Sequence, residues 1–324
     1  MTAFFIAVVY LCGSAPAAAN ASPNMVIEND GRYLELALAK EFDASQREQI
    51  QLWADFLSQS LLQVYGRWPR EHWRMTVAPA SASADDPIPW AQVIRGDINT
   101  IEFFISGQSD FERLRTAWTG YHEVAHLLIP YRGWGDLWFS EGLATYYQNV
   151  LQARMGLLSE QQMWQKIYNG LQRGVNDTAH KTLPLSDVSN ALHTKGGFMR
   201  TYWSGARYFL EMDVRIRRQS EGRLSLDTAL QRLNACCADD TLSVPQIVSL
   251  LDKLNELTLF KSLYLKTRES LTVTPVDALF ASLGISVKDG KVVLQPAGPG
   301  ADLRGQIAKK HTAPCSHQAG ILVD

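Results

Sequence analysis

The sequence predicts an α+β chain: a small N-terminal sheet with one helix, followed by a mostly helical C-terminal part. Three observations carry this. Apolar residues alternate at Leu34, Leu36 and Leu38, then recur at helical spacing at Ile50, Trp53, Phe56, Leu57, Leu61 and Val64. From Ser109 onward helical spacing dominates. The strand signals come first and the helical signals after, which is the order of an α+β unit.

Composition narrows the function classes. The 324 residues are 46% hydrophobic and 20% charged, enough to bury a core in one or two domains and too apolar for a disordered chain. With 31 Lys+Arg against 33 Asp+Glu the net charge is −2, and no dense basic block occurs, which argues against nucleic acid as the main partner. After the N-terminus no run approaches about 18 uninterrupted apolar residues, so no internal transmembrane span is expected.

In chain order, Phe4 to Leu11 is a short apolar run followed by small residues from Gly13 to Ala21. Ala19-Asn20-Ala21 fits a cleavage pattern, predicting a signal peptide over residues 1–21 and a secreted or periplasmic protein; an uncleaved anchor is the alternative. Tyr33 to Leu38 reads as a strand, and Ser45 with Glu48 as a capping box opening the first helix. Strands are expected at Trp73–Val77, Ala91–Arg95 and Thr100–Ser106, with an exposed loop over Ala78–Pro89. Helices are expected from Ser109 to Ile129, where Pro130 stops them, and over Glu141–Met155, Glu160–Arg173 and Phe198–Arg218. More follow at Leu226–Ala235, Pro245–Leu254, Thr258–Leu271 and Val276–Leu283. Asp289-Gly290 signals a hairpin between Ile285–Lys288 and Lys291–Leu294. The expected units are a sheet-bearing half with the site helices (22–156), a helical half with the hairpin (157–295) and a loosely ordered tail (296–324).

The cysteines left after cleavage are Cys236, Cys237 and Cys315; one of the adjacent pair could bridge to Cys315, and without a CxxC there is no thiolate zinc site. His72, His180, His193, His311 and His317 lack ligand spacing and read as surface residues. Arg215, Arg217 and Arg218 read as a solvated helix end. Gly196-Gly197 reads as a turn, and Trp134, Trp138 and Trp203 as core or cleft residues.

The chemistry concentrates at His122-Glu-Val-Ala-His126. Two histidines four apart on a helix share a face and can hold one metal ion, with Glu123 beside them in reach of its water. Ser140 is a credible N-cap that places Glu141 in the first turn of the next helix, from which it would complete a His/His/Glu set. Zinc suits such donors and keeps an open position whose water has its pKa lowered to about 7.

With Trp138-Phe-Ser-Glu141-Gly-Leu-Ala downstream, this stretch resembles the gluzincin zinc metallopeptidases, and within them the alanyl and glycyl aminopeptidase families. The resemblance implies a minimal thermolysin-like catalytic unit with one Zn2+ on His122, His126 and Glu141. It further implies Glu123 as general base, a peptide or protein substrate, and an oxyanion-steadying tyrosine at Tyr202 in Tyr202-Trp-Ser-Gly-Ala206. The spacing from His126 to Glu141 is shorter than in alanyl aminopeptidases. No G-x-M-E-N stretch precedes the helix; the corresponding strand reads Thr100 to Ser106, with Glu102 at the glutamate's position. The stretch before the site leaves no room for those enzymes' large N-terminal β-domain. Aminopeptidase, endopeptidase of the same mechanism, and a silent zinc-containing peptide-binding module remain open.

Overall fold

The computed structural model describes residues 25–80 and 85–310. Met25–Asn29 (β1) and Arg32–Leu38 (β2) form a hairpin around Asp30 and Gly31, which both take positive φ (51° and 69°). Asp-Gly favours such a two-residue turn, and it makes β1 an addition to the expected strands. Helix α1 (Ala44–Tyr65) is capped by Asp43, whose carboxylate accepts from the Gln46 N–H while the Gln46 amide oxygen accepts from Asp43 N–H. The capping box thus lies two residues ahead of Ser45 and Glu48, because Asp43 has the extended backbone a cap needs and Ser45 is already helical. Strands His72–Pro79 (β3), Trp90–Ile94 (β4) and Asn99–Ile105 (β5) complete one sheet. Residues 81–84 of the expected loop lie outside the described residues.

The sheet order is β1-β2-β3-β5-β4, with β2, β3 and β5 parallel and β1 and β4 antiparallel at the edges. Its inner face buries Leu34, Leu36, Trp73, Met75, Ile101 and Phe103, and α1 covers it, with Trp53 edge-on to Phe103 at 4.9 Å. Each such side chain contributes about 1.5–3 kcal/mol by leaving water.

The expected helix up to Ile129 is broken in two. Phe111–Thr116 (α2) ends where Ala117 turns extended (φ −68°, ψ 120°), and Trp118–Ala125 (α3) continues into a 3-10 turn at His126–Leu128. The Tyr121 hydroxyl donates to the Arg115 carbonyl at 2.7 Å, satisfying an acceptor the break frees. Leu137–Arg154 (α4) begins earlier than expected, with Asp136 at the N-cap position in the left-handed region (φ 52°) and no side-chain capping bond, so Ser140 is inside the first turns and is not the cap.

Glu160–Asn176 (α5) follows, then the short Leu185–Asn190 (α6) and Leu192–Lys195 (α7), and the long Phe198–Gln219 (α8). Helices α4 and α8 cross in backbone contact. A Cβ on Gly142 would lie 2.2 Å from Gly205 Cα, and one on Gly205 would lie 2.0 Å from the Trp138 carbonyl oxygen. Leu226–Cys237 (α9), Val244–Asn255 (α10), Phe260–Arg268 (α11) and Asp277–Ser282 (α12) lead to the hairpin Ile285–Lys288 (β6) and Lys291–Leu294 (β7). The stretch read as a loose tail contains Pro299–Ala308 (α13), anchored by buried Leu303, Arg304 and Ile307.

Cys236 and Cys237 are bonded to each other. Cys315, like the signal segment, lies outside the described residues. Arg217 is not solvated: it is buried and ion-paired to Asp213 and Asp227. Among the described residues no helix is long and apolar enough to cross a membrane.

Candidate metal centre

Two elements build the site. Helix α3 carries His122, Glu123 and, at its C-terminus, His126; Gly120 lets it sit close on α1, where an added Cβ would come within 3.2 Å of Leu57. Helix α4 carries Glu141, and α8 crosses it to bring Tyr202 over the same point. His122, His126 and Glu141 are buried, and their ligand atoms lie within 4.8 Å of one another.

The histidine orientations are set by α4. The His122 Nδ1–H donates to Gln148 Oε1 at 2.9 Å, and His126 Nδ1 pairs with Ser140 Oγ at 3.0 Å. Both pairings turn the Nε2 lone pairs inward, to 3.2 Å and 3.7 Å from Glu141 Oε2. Two nitrogens and an oxygen around one tetrahedral ion stand about 3.3 Å apart, so the set fits a zinc-sized cation. Glu141 meets burial, which would raise its carboxyl, but the two histidines and a hydrogen bond from Tyr202 outweigh it and hold it below the ordinary range. Burial pushes His126 down to about 3, with the neighbouring His122 and Arg95 adding to the effect against Glu141, so its imidazole stays neutral as a ligand must.

Glu123 behaves differently. It is 1% exposed, neither carboxylate oxygen has a hydrogen-bond partner, and burial pushes its pKa up to about 7. A buried carboxylate with no partner is costly unless it meets something else. Tyr202 is 5% exposed, and its ring stacks on His122 with centroids 5.9 Å apart.

All five residues singled out from the sequence, His122, Glu123, His126, Glu141 and Tyr202, therefore converge. Glu102 does not join them: its carboxylate accepts from Gln92 Nε2 at 2.7 Å across the β4–β5 pair. The strand packed on α3 is β4, not the Thr100–Ser106 strand, because β4 closes the sheet on that side. Trp138 and Trp203 are core, whereas Trp134 is exposed and holds the Arg132 guanidinium over its ring at 3.3 Å.

Several contributors were not read from the sequence. Gln148 stands two helical turns after Glu141, on the same face, which is a usable signal. Arg95 Nη2 donates to the His126 carbonyl and Arg70 Nη2 to the Ile129 carbonyl, tying down the end of the metal-bearing segment from β4 and from the loop before β3; neither has a local signature. His193, read as a surface residue, is exposed but near enough to Glu141 to sense its charge, and its ring meets Phe198, which meets Tyr202. His72 and His180 bond Glu35 and the Lys195 carbonyl away from the site, and His311 and His317 lie outside the described residues.

Residues 133–210, which include Glu141 and Tyr202 but not His122 or His126, match the family described as M61 glycyl aminopeptidase. In fold the chain is similar to an aminopeptidase N family protein from Idiomarina loihiensis, with a TM-score of 0.54 and 14% identity over 82% of this chain and 50% of that one. It is also similar to an M1 zinc metallopeptidase from Deinococcus radiodurans, with a TM-score of 0.50 and 16% identity over 78% of this chain and 52% of that one. The chain thus spans about half the length of these solved relatives. No curated protein is significantly similar in sequence. The chain joins a fold of the M1 kind and a segment similar to the M61 glycyl aminopeptidases with a buried His-His-Glu cluster of gluzincin type.

Proposed function

We propose that this protein is a zinc-dependent, aminopeptidase-like metallopeptidase that hydrolyses peptide bonds. The observation that carries the reading is Glu123, buried and unpartnered beside three ligand atoms spaced for one tetrahedral ion. Both the matched family and the fold relatives are described as peptidases or aminopeptidases, which supports the same class.

His122, His126 and Glu141 would hold zinc, which when bound would supply Lewis acidity to a scissile carbonyl and to water. Glu123, free of competing bonds, takes the proton from the attacking water and returns it to the leaving amine. Tyr202 donates its hydroxyl to the developing oxyanion, a bond that strengthens as charge accumulates there. Gln148 and Ser140 keep the imidazoles in the ligand tautomer throughout.

An endopeptidase of the same mechanism is favoured by one observation: Glu102, which the resemblance offered for holding a substrate amine, lies on β5, away from the strand packed on α3, and is bonded by Gln92. The apolar run at Phe4–Leu11 and the Ala19–Ala21 pattern support export from the cytoplasm, which fractionation of the expressing cell checks.

The deciding experiment exposes the zinc-loaded full chain to a mixed peptide library and maps cuts by mass spectrometry, with Glu123→Gln as the blank. Glu123→Gln should retain one zinc per chain and lose turnover. Cuts at first residues make the protein an aminopeptidase, and internal cuts make it an endopeptidase. Equal cutting by the variant removes Glu123 from the mechanism, and no cutting by either leaves two readings, an enzyme restricted to one protein substrate or the silent peptide-binding module.

A further inference from the structure

A cleft of about 570 Å³ opens where α1, α4 and α8 end and α9 begins, at the far end of α4 from the metal centre. At 1.5 Å rise per residue, about 20 Å of α4 separates Glu141 from Arg154 in the cleft floor. The cleft is lined by Arg154, Arg217, Arg223, Lys309 and Lys310 against one carboxylate, Asp227.

The floor is already balanced. Asp227 is engaged by Arg154 through both oxygens and by the Tyr147 hydroxyl, and Arg217 turns its Nε to Asp213 and its Nη2 to Asp227. The rim is not balanced. Arg223, Lys309 and Lys310 are exposed and make no side-chain hydrogen bond or ion pair among the described residues. Three unpaired cations thus face one concavity in a chain whose net charge is −2. Like charges gathered in this way repel one another and focus a positive potential into the cleft. The arrangement is matched by a ligand that brings several negative charges at once, and the volume lies in the range of small-molecule sites.

We propose that this cleft binds a small polyanion of the phosphate class, held at the rim by Arg223, Lys309 and Lys310 above the buried Arg217. Arginine and lysine together supply the directional and point-charge contacts that phosphate oxygens accept. The ligand is either a soluble phosphate compound or the headgroup of an anionic lipid. The site stands apart from the peptidase reading and does not depend on it.

The test is calorimetric titration of the zinc-loaded full chain with pyrophosphate at fixed ionic strength, compared with the Arg223→Ala/Lys309→Ala/Lys310→Ala variant. Saturable binding by the parent, weakened at least about tenfold in the variant, is the expected result. No saturable binding, or equal binding by the variant, overturns the proposal, provided phosphatidic acid vesicles are not retained either. Sedimentation with phosphatidic acid vesicles but not with phosphatidylcholine vesicles, lost in the variant, assigns the headgroup source. Pyrophosphate binding without sedimentation assigns the soluble one. The melting temperature of the variant checks its fold, and because the three side chains are exposed and unpaired, single substitutions carry the same comparison.

Discussion

Tyr202 and Gln148 separate two kinds of contribution to one site. Tyr202 stacks on His122 with its hydroxyl bonded to Glu141, and on the proposed mechanism that hydroxyl meets a charge that exists only as the reaction proceeds. Tyr202→Phe should therefore lower kcat by about 10²–10³-fold, the usual loss for one oxyanion donor, with KM changed much less. Steady-state kinetics on any cleaved peptide checks this, and an unchanged kcat would remove the hydroxyl from the mechanism. Gln148 touches no substrate; it fixes the His122 ring by accepting its Nδ1–H. Gln148→Ala should weaken metal affinity by about 10–100-fold, read by competition with a chelator, and activity should recover at saturating zinc. Ser140 shows why such roles are hard to read from sequence. A serine before a helical run looks like a cap, but the cap is Asp136 in a left-handed conformation that the sequence does not announce, and Ser140 bonds His126 instead.

At the scale of elements, the placing of Tyr202 over the ligand set depends on how closely α4 and α8 approach. Glu141 and its neighbour Gly142 are adjacent for a physical reason: the glycine lets the α8 backbone pass at Gly205, which puts Tyr202 one turn away over the cluster. Gly142→Ala would drive a Cβ to 2.2 Å from backbone that cannot rotate away, so the helices must separate. Overpacking of this kind costs about 1–3 kcal/mol in flexible cores, and here it should also loosen zinc. Gly305→Ala is the contrasting case, since it lies on the exposed face of α13 with open space around it and should leave stability unchanged or raise it by up to about 1 kcal/mol. Melting curves of the two variants check the pair, and similar behaviour would show that helix spacing is not the constraint. The crossing also explains what was legible. His122, Glu123 and His126 share a local repeat and could be read directly, and the amphipathic spacing of α1 and α8 gave their faces. The break at Ala117 could not be read, because nothing in its side chain disfavours a helix and the Tyr121 bond that supports the break is made only in the fold.

Across the whole molecule the helical half is tied together by Arg154, which no pattern singled out. It donates to Asp227, to the Gln63 carbonyl at the end of α1 and to the Ile307 carbonyl in α13, joining four helices, while Arg217 links Asp227 to Asp213 on α8. Arg217 read as a solvated helix end because its sequence neighbours are basic; its burial comes from α9 and Asp227, brought alongside only by the fold. Burial alone would raise the Asp227 carboxyl, but Arg154 and then Arg217 outweigh it and hold its pKa below the ordinary value. A carboxyl with a depressed folded-state pKa stabilises fully above its unfolded value, about 3.9, and that contribution is lost as pH falls through the folded value. Asp227→Asn should therefore destabilise the protein by about 3–5 kcal/mol at pH 7, since it leaves Arg154 buried without its counter-charge. The gap between parent and variant should begin to narrow below about pH 4, where the unfolded parent takes up a proton that the folded carboxylate still resists, and should close as pH falls through the folded value. Denaturant unfolding of both proteins from pH 7 down to pH 3 reads that difference directly. A gap that stays constant with pH would mean that the Asn substitution acts through packing, and that Arg154 is held by the two carbonyls alone.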